Sequence, residues 1–345
     1  MFGFLRFFLA TNVVLTHIVH IRSLGPFAVY TFFILSGFLM TTIMKNTYNY
    51  TIKGIMRYAI NRFLKLFPVH WFLLLLTIAI IFITSPEFAY EFNEKIKIPS
   101  SASEILANIT MIYPAFHPGS YPSILAASSW ALTIEIFFYF LIGLGLSRNR
   151  IITLCWFFMS ILYMFYLNIN SIYGLGYGNV LTASLPFSLG AVLFYYKTLI
   201  IDLLRKIPGN ITIVISIIFT LNLIFTSSSY HWLPEIAWKI AIIGSGLNLI
   251  LSSLLIIVLW FEGKNHFSKP VDIFYGDLSY PIYLFHMSAG CFISWVIYDR
   301  PVTELSTEGL ITFVGALVAT IIASIITTKL ISNPIEKIRT AVKKI

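Results

Sequence analysis

The chain has 345 residues, of which 58% are hydrophobic and 11% charged, and its mean hydropathy is +0.86. An average soluble domain carries about 25% charged residues, so composition excludes a water-soluble globular enzyme and points to an integral membrane protein. The formal net charge of +9 does not indicate a nucleic-acid partner, because the basic residues lie in short segments between apolar runs, where membrane proteins encode their orientation.

Nothing in the sequence shows the ten-residue alternation of a membrane β-barrel. The two cysteines, Cys155 and Cys291, fall inside apolar runs with no disulfide framework or metal-ligand spacing. The expected fold class is an all-α polytopic bundle of about ten transmembrane helices, forming a single domain over residues 1–345 with no appended soluble domain. The predicted spans are 3–21, 27–44, 67–84, 128–146, 151–168, 179–196, 210–227, 238–260, 272–297 and 308–328, each about 20 residues, the length that crosses the hydrocarbon. The run 105–113 is too short to span and is expected to lie re-entrant or interfacial.

The first span carries Arg6, His17 and His20. Arg6 and His17 are eleven residues apart, about three helical turns plus 20°, so they share a face, separated by roughly 16 Å of rise. Ionisable residues inside a membrane are functional candidates by default. Arg6 suits phosphate or carboxylate through its planar fork of donors, and neutral His17 suits proton abstraction from a hydroxyl. The structural alternative is that Arg6 snorkels to the headgroups and His17 satisfies a helix–helix hydrogen bond. For His20, nearer the interface, that alternative is preferred. No small-x-small cleavage site precedes the next apolar run, so a retained first helix is expected rather than a signal peptide.

In the second span, Phe32 to Leu39 places the small pair Ser36-Gly37 among bulky residues, which predicts a close backbone approach; Ser36 has no local base to make it a nucleophile. The loop expected before span three holds Arg57, Arg62 and Lys65, with Pro68 placed to open the following helix. This cluster reads either as ordinary positive-inside charge or as a site for a polyanionic donor. Span four opens Trp130-Ala131-Leu132-Thr133-Ile134-Glu135. Glu135 lies at a depth similar to His17, so a carboxylate–imidazole contact that orients His17 is expected. In span nine, Ser279, Tyr280, Tyr283 and His286 form a polar stripe, which in lipid must face protein or a water-filled cavity.

Charge asymmetry predicts the orientation. Of the 23 basic residues, only Arg22, Lys95, Lys97, Lys239 and Arg300 fall on one side. The other side collects the rest, among them Arg57, Arg62, Lys65, Lys264 and Lys337, so both termini are expected in the cytoplasm. The largest outer loop is 85–127, with Glu87, Glu91, Glu94 and Glu104.

These stretches, in this order and over essentially the whole chain, resemble the acyltransferase-3 family of bacterial integral-membrane acyltransferases. Arg6-x10-His17 matches the family's Arg-x10-His, and Phe32–Leu39 matches its FF-x-LSGFL pattern. Arg62, Lys65 and Pro68 correspond to Arg-x-x-Arg-x-x-Pro, with Lys65 in place of the second Arg. Trp130 to Glu135 resembles W-S-L-x-x-E with Ala131 at the serine, and Ser279 to His286 resembles S-Y-x-x-Y-x-x-H. At the C-terminal end Ser332 occupies the glutamate of the usual E-x-P element, and Glu336 lies two residues beyond Pro334.

The resemblance implies transfer of an acyl group, commonly acetyl, from a cytoplasmic acyl-CoA-type donor to a sugar hydroxyl of an envelope or exported glycan, in a bacterial cytoplasmic (inner) membrane. It implies no permanently bound cofactor and no metal; the partners are the lipid bilayer, acyl-CoA and a glycan acceptor, with no nucleic acid. On this reading Arg6, Arg57, Arg62 and Lys65 bind the donor. His17 acts as base or transient acyl carrier, Glu135 orients it, and Ser36, Trp130, Ser279, Tyr280, Tyr283 and His286 line the path. The rival reading is a transporter of a small anion or lipid-linked sugar, for which paired broken segments in the two halves are wanting.

Overall fold

The computed structural model describes residues 2–114, 117–121, 123–170, 178–207, 209–262 and 269–344, and the regular structure within them is entirely helical. In chain order the α-helices are α1 (Gly3–Ile18), α2 (Leu24–Ile43), α3 (Ile52–Thr84), α4 (Pro86–Phe92), α5 (Ala102–Thr110), α6 (Trp130–Leu144) and α7 (Arg150–Ile169). They continue as α8 (Val180–Leu204), α9 (Ile211–Trp232), α10 (Ala237–Glu262), α11 (Lys269–Tyr298), α12 (Thr307–Thr327) and α13 (Asn333–Lys344). Several starts are fixed by side-chain caps that satisfy orphan N–H groups: Thr51 accepts from Gly54, Asn149 from Ile152, Asn210 from Ile213 and Ser306 from Gly309.

Each of the ten predicted spans has its helix. Eight helical stretches among the described residues are long and apolar enough to cross a bilayer, while α1 and α6 are shorter apolar helices of 16 and 15 residues. The packing shows that α1 traverses the same slab as its long neighbour. The Gly3 N–H donates to Asp272 Oδ1 (2.8 Å) at one end, and His17 meets His286 (2.8 Å) at the other, with a chain separation of 269 in both cases. The two helices therefore run parallel and in constant register over about four turns. Gly3 permits this contact, since a first side-chain carbon there would lie 1.6 Å from the Asp272 carbonyl oxygen. Helices one and nine of a ten-span chain must be parallel, as they are.

The predicted close approach at Ser36-Gly37 is present. A side-chain carbon on Gly37 would stand 2.1 Å from the Phe187 carbonyl oxygen, and one on Gly190 2.0 Å from that of Ile34, so α2 and α8 touch backbone to backbone. With α1, they enclose a core of Leu9, Val14, Phe33, Phe38 and Phe187, none more than 1% exposed.

Two expectations are corrected. Arg57, Arg62 and Lys65 lie within α3, not in a loop, and Pro68 is interior to that 33-residue helix. Pro68 removes only its own N–H, a loss a membrane helix tolerates when packing holds the flanking turns, and the Thr51 cap starts the helix well before it. The run 105–113 is mostly α5, a nine-residue helix anchored to α3 by His70 Nε2–H and Trp71 Nε1–H donating to the Asn108 and Ile109 carbonyls (2.7 and 2.8 Å). Glu104 closes the capping box of α5, and the backbone N–H of Ser100 holds its carboxyl below the usual carboxylate range. Beyond α12 the chain does not fray: a π-helical turn, Thr328–Ser332, leads into amphipathic α13, which packs on α3. Lys264 lies outside the described residues.

Candidate active site

The register of α1 against α11 creates a histidine pair. His17 Nδ1 and His286 Nε2 are 2.8 Å apart, with ring centroids at 5.0 Å and planes inclined by 19°. Two ring radii plus an N···N contact account for that centroid distance, so the rings meet edge to edge in nearly one plane. His286 is fully buried, and its Nδ1 lies 3.1 Å from the Ile282 carbonyl oxygen. A carbonyl only accepts, so this Nδ1 carries the proton and His286 Nε2 presents a lone pair. His17 must then donate through Nδ1–H, which leaves its Nε2 unprotonated. That nitrogen makes no hydrogen bond among the described residues, and His17 is only half-buried. A base is thus oriented and given a free lone pair by a second imidazole. Lys95, from the segment after α4, and His20 are the other titratable groups facing His17; burial lowers the Lys95 pKa.

One turn back along α11, a cavity of about 50 Å³ opens between α1, α2, α6 and α11. Arg6, Phe32, Glu135, Ser279, Tyr280 and Tyr283 are among the residues that line it. Ser36 Oγ donates to Glu135 Oε1 (2.7 Å) and contacts the Tyr139 hydroxyl (3.2 Å). The cations facing Glu135 are Arg6 and Arg62. The guanidinium of Arg6 makes no hydrogen bond or ion pair among the described residues and points its charge at the cavity. The tyrosines are fixed from behind: Tyr280 donates to the Leu66 carbonyl of α3 (3.1 Å) and Tyr283 to the Ser128 carbonyl just before α6 (3.0 Å). Trp130 is the first residue of α6, half-buried beside that anchored segment.

The expected contact between Glu135 and His17 does not form. Glu135 pairs with Ser36, and His17 with His286. The expected equal depth fails as well: Glu135 lies at the level of Arg6, with which it lines one cavity, and α6 packs on α2, whereas α11 lies against α1.

At the basic end, Lys65 pairs with Asp277 of α11 (3.6 Å). Arg62 Nη2–H donates to Asn61 Oδ1 (2.9 Å) and, with Tyr58 and Tyr139, lines an apolar groove of about 190 Å³ between α3 and α6. Arg57, on the first turns of α3, is half-buried and faces Tyr48. Residues not foreseen are Tyr139, Asn61 and Arg339. Tyr139 is one turn past Glu135 on the same helix face, and a fully buried asparagine in an apolar helix, such as Asn61, is itself a sequence signal of interhelical hydrogen bonding.

A comparison with known families matches residues 2–329 to the acyltransferase-3 family, whose model is described as an acyltransferase domain. No curated protein and no solved structure matches the chain.

Proposed function

The chain belongs to the acyltransferase-3 family and is a membrane acyltransferase, and from that premise we propose that it acetylates a sugar hydroxyl of an envelope or exported glycan, drawing on an acyl-CoA-type donor. The basic end, with Arg57, Arg62 and Lys65, faces the cytoplasm together with both termini, in a bacterial cytoplasmic (inner) membrane. The opposite end, with α4 and α5, faces outward. Arg6 with the α3 cations holds the donor's phosphates. The thioester arm follows the α1 face over the roughly 16 Å that separates Arg6 from His17.

The observation that carries this reading is the free Nε2 of His17. It takes the proton of the acceptor hydroxyl as that oxygen attacks the thioester carbonyl. The C–O bond forms, the C–S bond breaks, and the imidazolium returns its proton to the departing thiolate. His286 holds the productive tautomer and shares the positive charge. Arg6 and Glu135 keep the cavity polar along the arm's path. At ~10–15 Å³ for each water the cavity accommodates only a few waters, so the arm's entry requires the cavity to widen.

Purified protein in liposomes, given acetyl-CoA and a glycan acceptor, tests the chemistry. Mass spectrometry and NMR of cell-surface glycan with and without the protein identify the acyl group and the hydroxyl. Wild-type protein with no effect on glycan acylation, and no acyl transfer in vitro, overturns the proposal.

A further inference from the structure

The structure places a second arginine fork beside the donor clamp proposed above. It comes from α13, beyond residue 329 where the family match ends. Arg339 Nη2–H donates to Asn61 Oδ1 (3.1 Å), the same oxygen that accepts from Arg62 Nη2–H (2.9 Å). Asn61 Nδ2–H returns a bond to the Arg339 carbonyl oxygen (3.4 Å). Two guanidinium groups thus converge on one neutral amide oxygen, and Arg339 is 93% buried, being only 7% exposed.

Convergence of like charges at a buried site demands counter-charge, and the carboxylates present fall short of it. Glu336 is ion-paired with Arg339, and Asp277 with Lys65. Arg62 acts on Arg339, Arg6 and Arg339 act on Lys65, and Arg57 joins Arg62 and Arg339 around Tyr48, while Glu135 is the further acidic neighbour of Arg6 and Arg62 among the described residues. The Nε atoms of both Arg62 and Arg339 are buried with no hydrogen-bond partner among the described residues. A buried N–H without an acceptor is costly, and here two such groups belong to forks that Asn61 holds side by side. The chemistry that satisfies both is a phosphate, whose oxygens match the planar donor set of arginine.

We propose that Arg339 is a donor-binding residue: with Arg62 it grips the diphosphate of the acyl-CoA-type donor, and Asn61 sets the two forks parallel. α13 is then part of the site, since it delivers the second fork. This rests on the donor class proposed above and adds to it a residue outside the family-defined segment. An anionic lipid headgroup offers the same phosphate chemistry, so the test must separate the two sources.

Transfer is measured from acetyl-CoA and from S-acetyl-N-acetylcysteamine, which has the same reacting end and no phosphate. Arg339→Ala is expected to raise the KM for acetyl-CoA about tenfold or more, the size of a lost charge-assisted hydrogen bond, and so to erode the preference for acetyl-CoA over the analogue. Arg339→Lys, which keeps the charge and loses the fork, falls between. Equal losses with both donors overturn the proposal in favour of a packing role. A change seen in phosphatidylglycerol liposomes and absent in phosphatidylcholine liposomes assigns the site to lipid and overturns it too. Coenzyme A serves as a binding probe: it should raise the unfolding temperature of the wild type and lose that effect in Arg339→Ala. Wild-type protein that neither binds coenzyme A nor transfers from acetyl-CoA removes the donor assignment itself. Wild-type binding that Arg339→Ala leaves intact removes only the Arg339 site.

Discussion

The imidazoles of His17 and His286 share one hydrogen bond of 2.8 Å, and the carbonyl of Ile282 decides which of them donates. That chain of three groups is directional. Its fixed end is a backbone oxygen on α11, and its free end is the Nε2 lone pair of His17.

Removing His286 should therefore damage catalysis more than binding. His286→Ala is expected to lower kcat by about 10²–10⁴-fold, the range seen when the group that orients a catalytic imidazole is lost, with the donor KM changed far less. His286→Gln offers an amide oxygen that can accept from Nδ1–H, and should recover part of the loss. A kcat in His286→Ala within twofold of wild type would show that the pair is mere packing. His17→Ala should abolish transfer.

Ser36 and Glu135 form the second pair, a hydroxyl donating to a carboxyl oxygen at 2.7 Å. A hydrogen bond to a charged acceptor is worth about 1.5–3 kcal/mol, so Ser36→Ala alone should be felt in thermal stability or kcat/KM. In a double-mutant cycle with Glu135→Ala the two losses should fail to add, with a coupling of about 0.5–3 kcal/mol. Additive losses would mean that the hydroxyl does not hold the carboxylate.

Lys65 and Asp277 test the donor clamp from another direction. Both side chains are about a third exposed, at 29% and 32%, and 3.6 Å apart, so their pairing contributes at most ~1 kcal/mol and weakens with salt. If Lys65 serves the donor, Asp277 competes with it. Lys65→Ala should raise the acetyl-CoA KM severalfold, whereas Asp277→Asn should leave it unchanged or lower it. Parallel increases in both variants would identify the pair as a structural tie between α3 and α11.

What could be read from the sequence followed from one-dimensional periodicity. The shared face of Arg6 and His17, the ten apolar runs and the small pair at Ser36-Gly37 all depend on spacing along one chain, and each has its counterpart in the helices. The partner of His17 was not legible, because neither the depth of Glu135, which shares a cavity with Arg6, nor the rotation of each helix about its axis follows from spacing along one chain. The packing of α1 on α11, marked at its start by the Gly3–Asp272 contact, brings His286 rather than Glu135 to His17. The first half of α3 reads as a loop in the sequence because its charges interrupt the apolar run. Those charges lie at the bundle's basic end, where a helix can carry them. Arg339 was silent for a related reason: its proposed role depends on α13 continuing from α12 through the π-helical turn Thr328–Ser332 and packing on α3, which no local spacing announces.

Gly37 provides a test of the packing. Gly37→Ala would place a carbon 2.1 Å from the Phe187 carbonyl oxygen, and α2 or α8 must shift to relieve it, a distortion of a kind that costs about 1–3 kcal/mol or more. Gly246 in α10 has nothing within 4 Å of the same position, so Gly246→Ala should be neutral or slightly stabilising. A lower unfolding temperature in the first variant and not in the second is the expected result. Equal behaviour would mean that the α2–α8 contact is looser than described.

The orientation is open to a direct measurement. In a background without Cys155 and Cys291, single cysteines are placed at four exposed positions: Lys53, Glu87, Arg205 and Glu304. If the basic end faces the cytoplasm, a membrane-impermeant maleimide added to intact cells should label positions 87 and 304 and spare 53 and 205 until the membrane is permeabilised. The inverse pattern would overturn the orientation while leaving the fold intact. Labelling of 53 and 87 from the same side would be more serious, because α3 joins them as a single helix of 33 residues. At about 1.5 Å per residue that helix is longer than the hydrocarbon is thick. Its two ends must emerge on opposite faces if Arg62 is to meet a donor from within while His17 meets an acceptor from without.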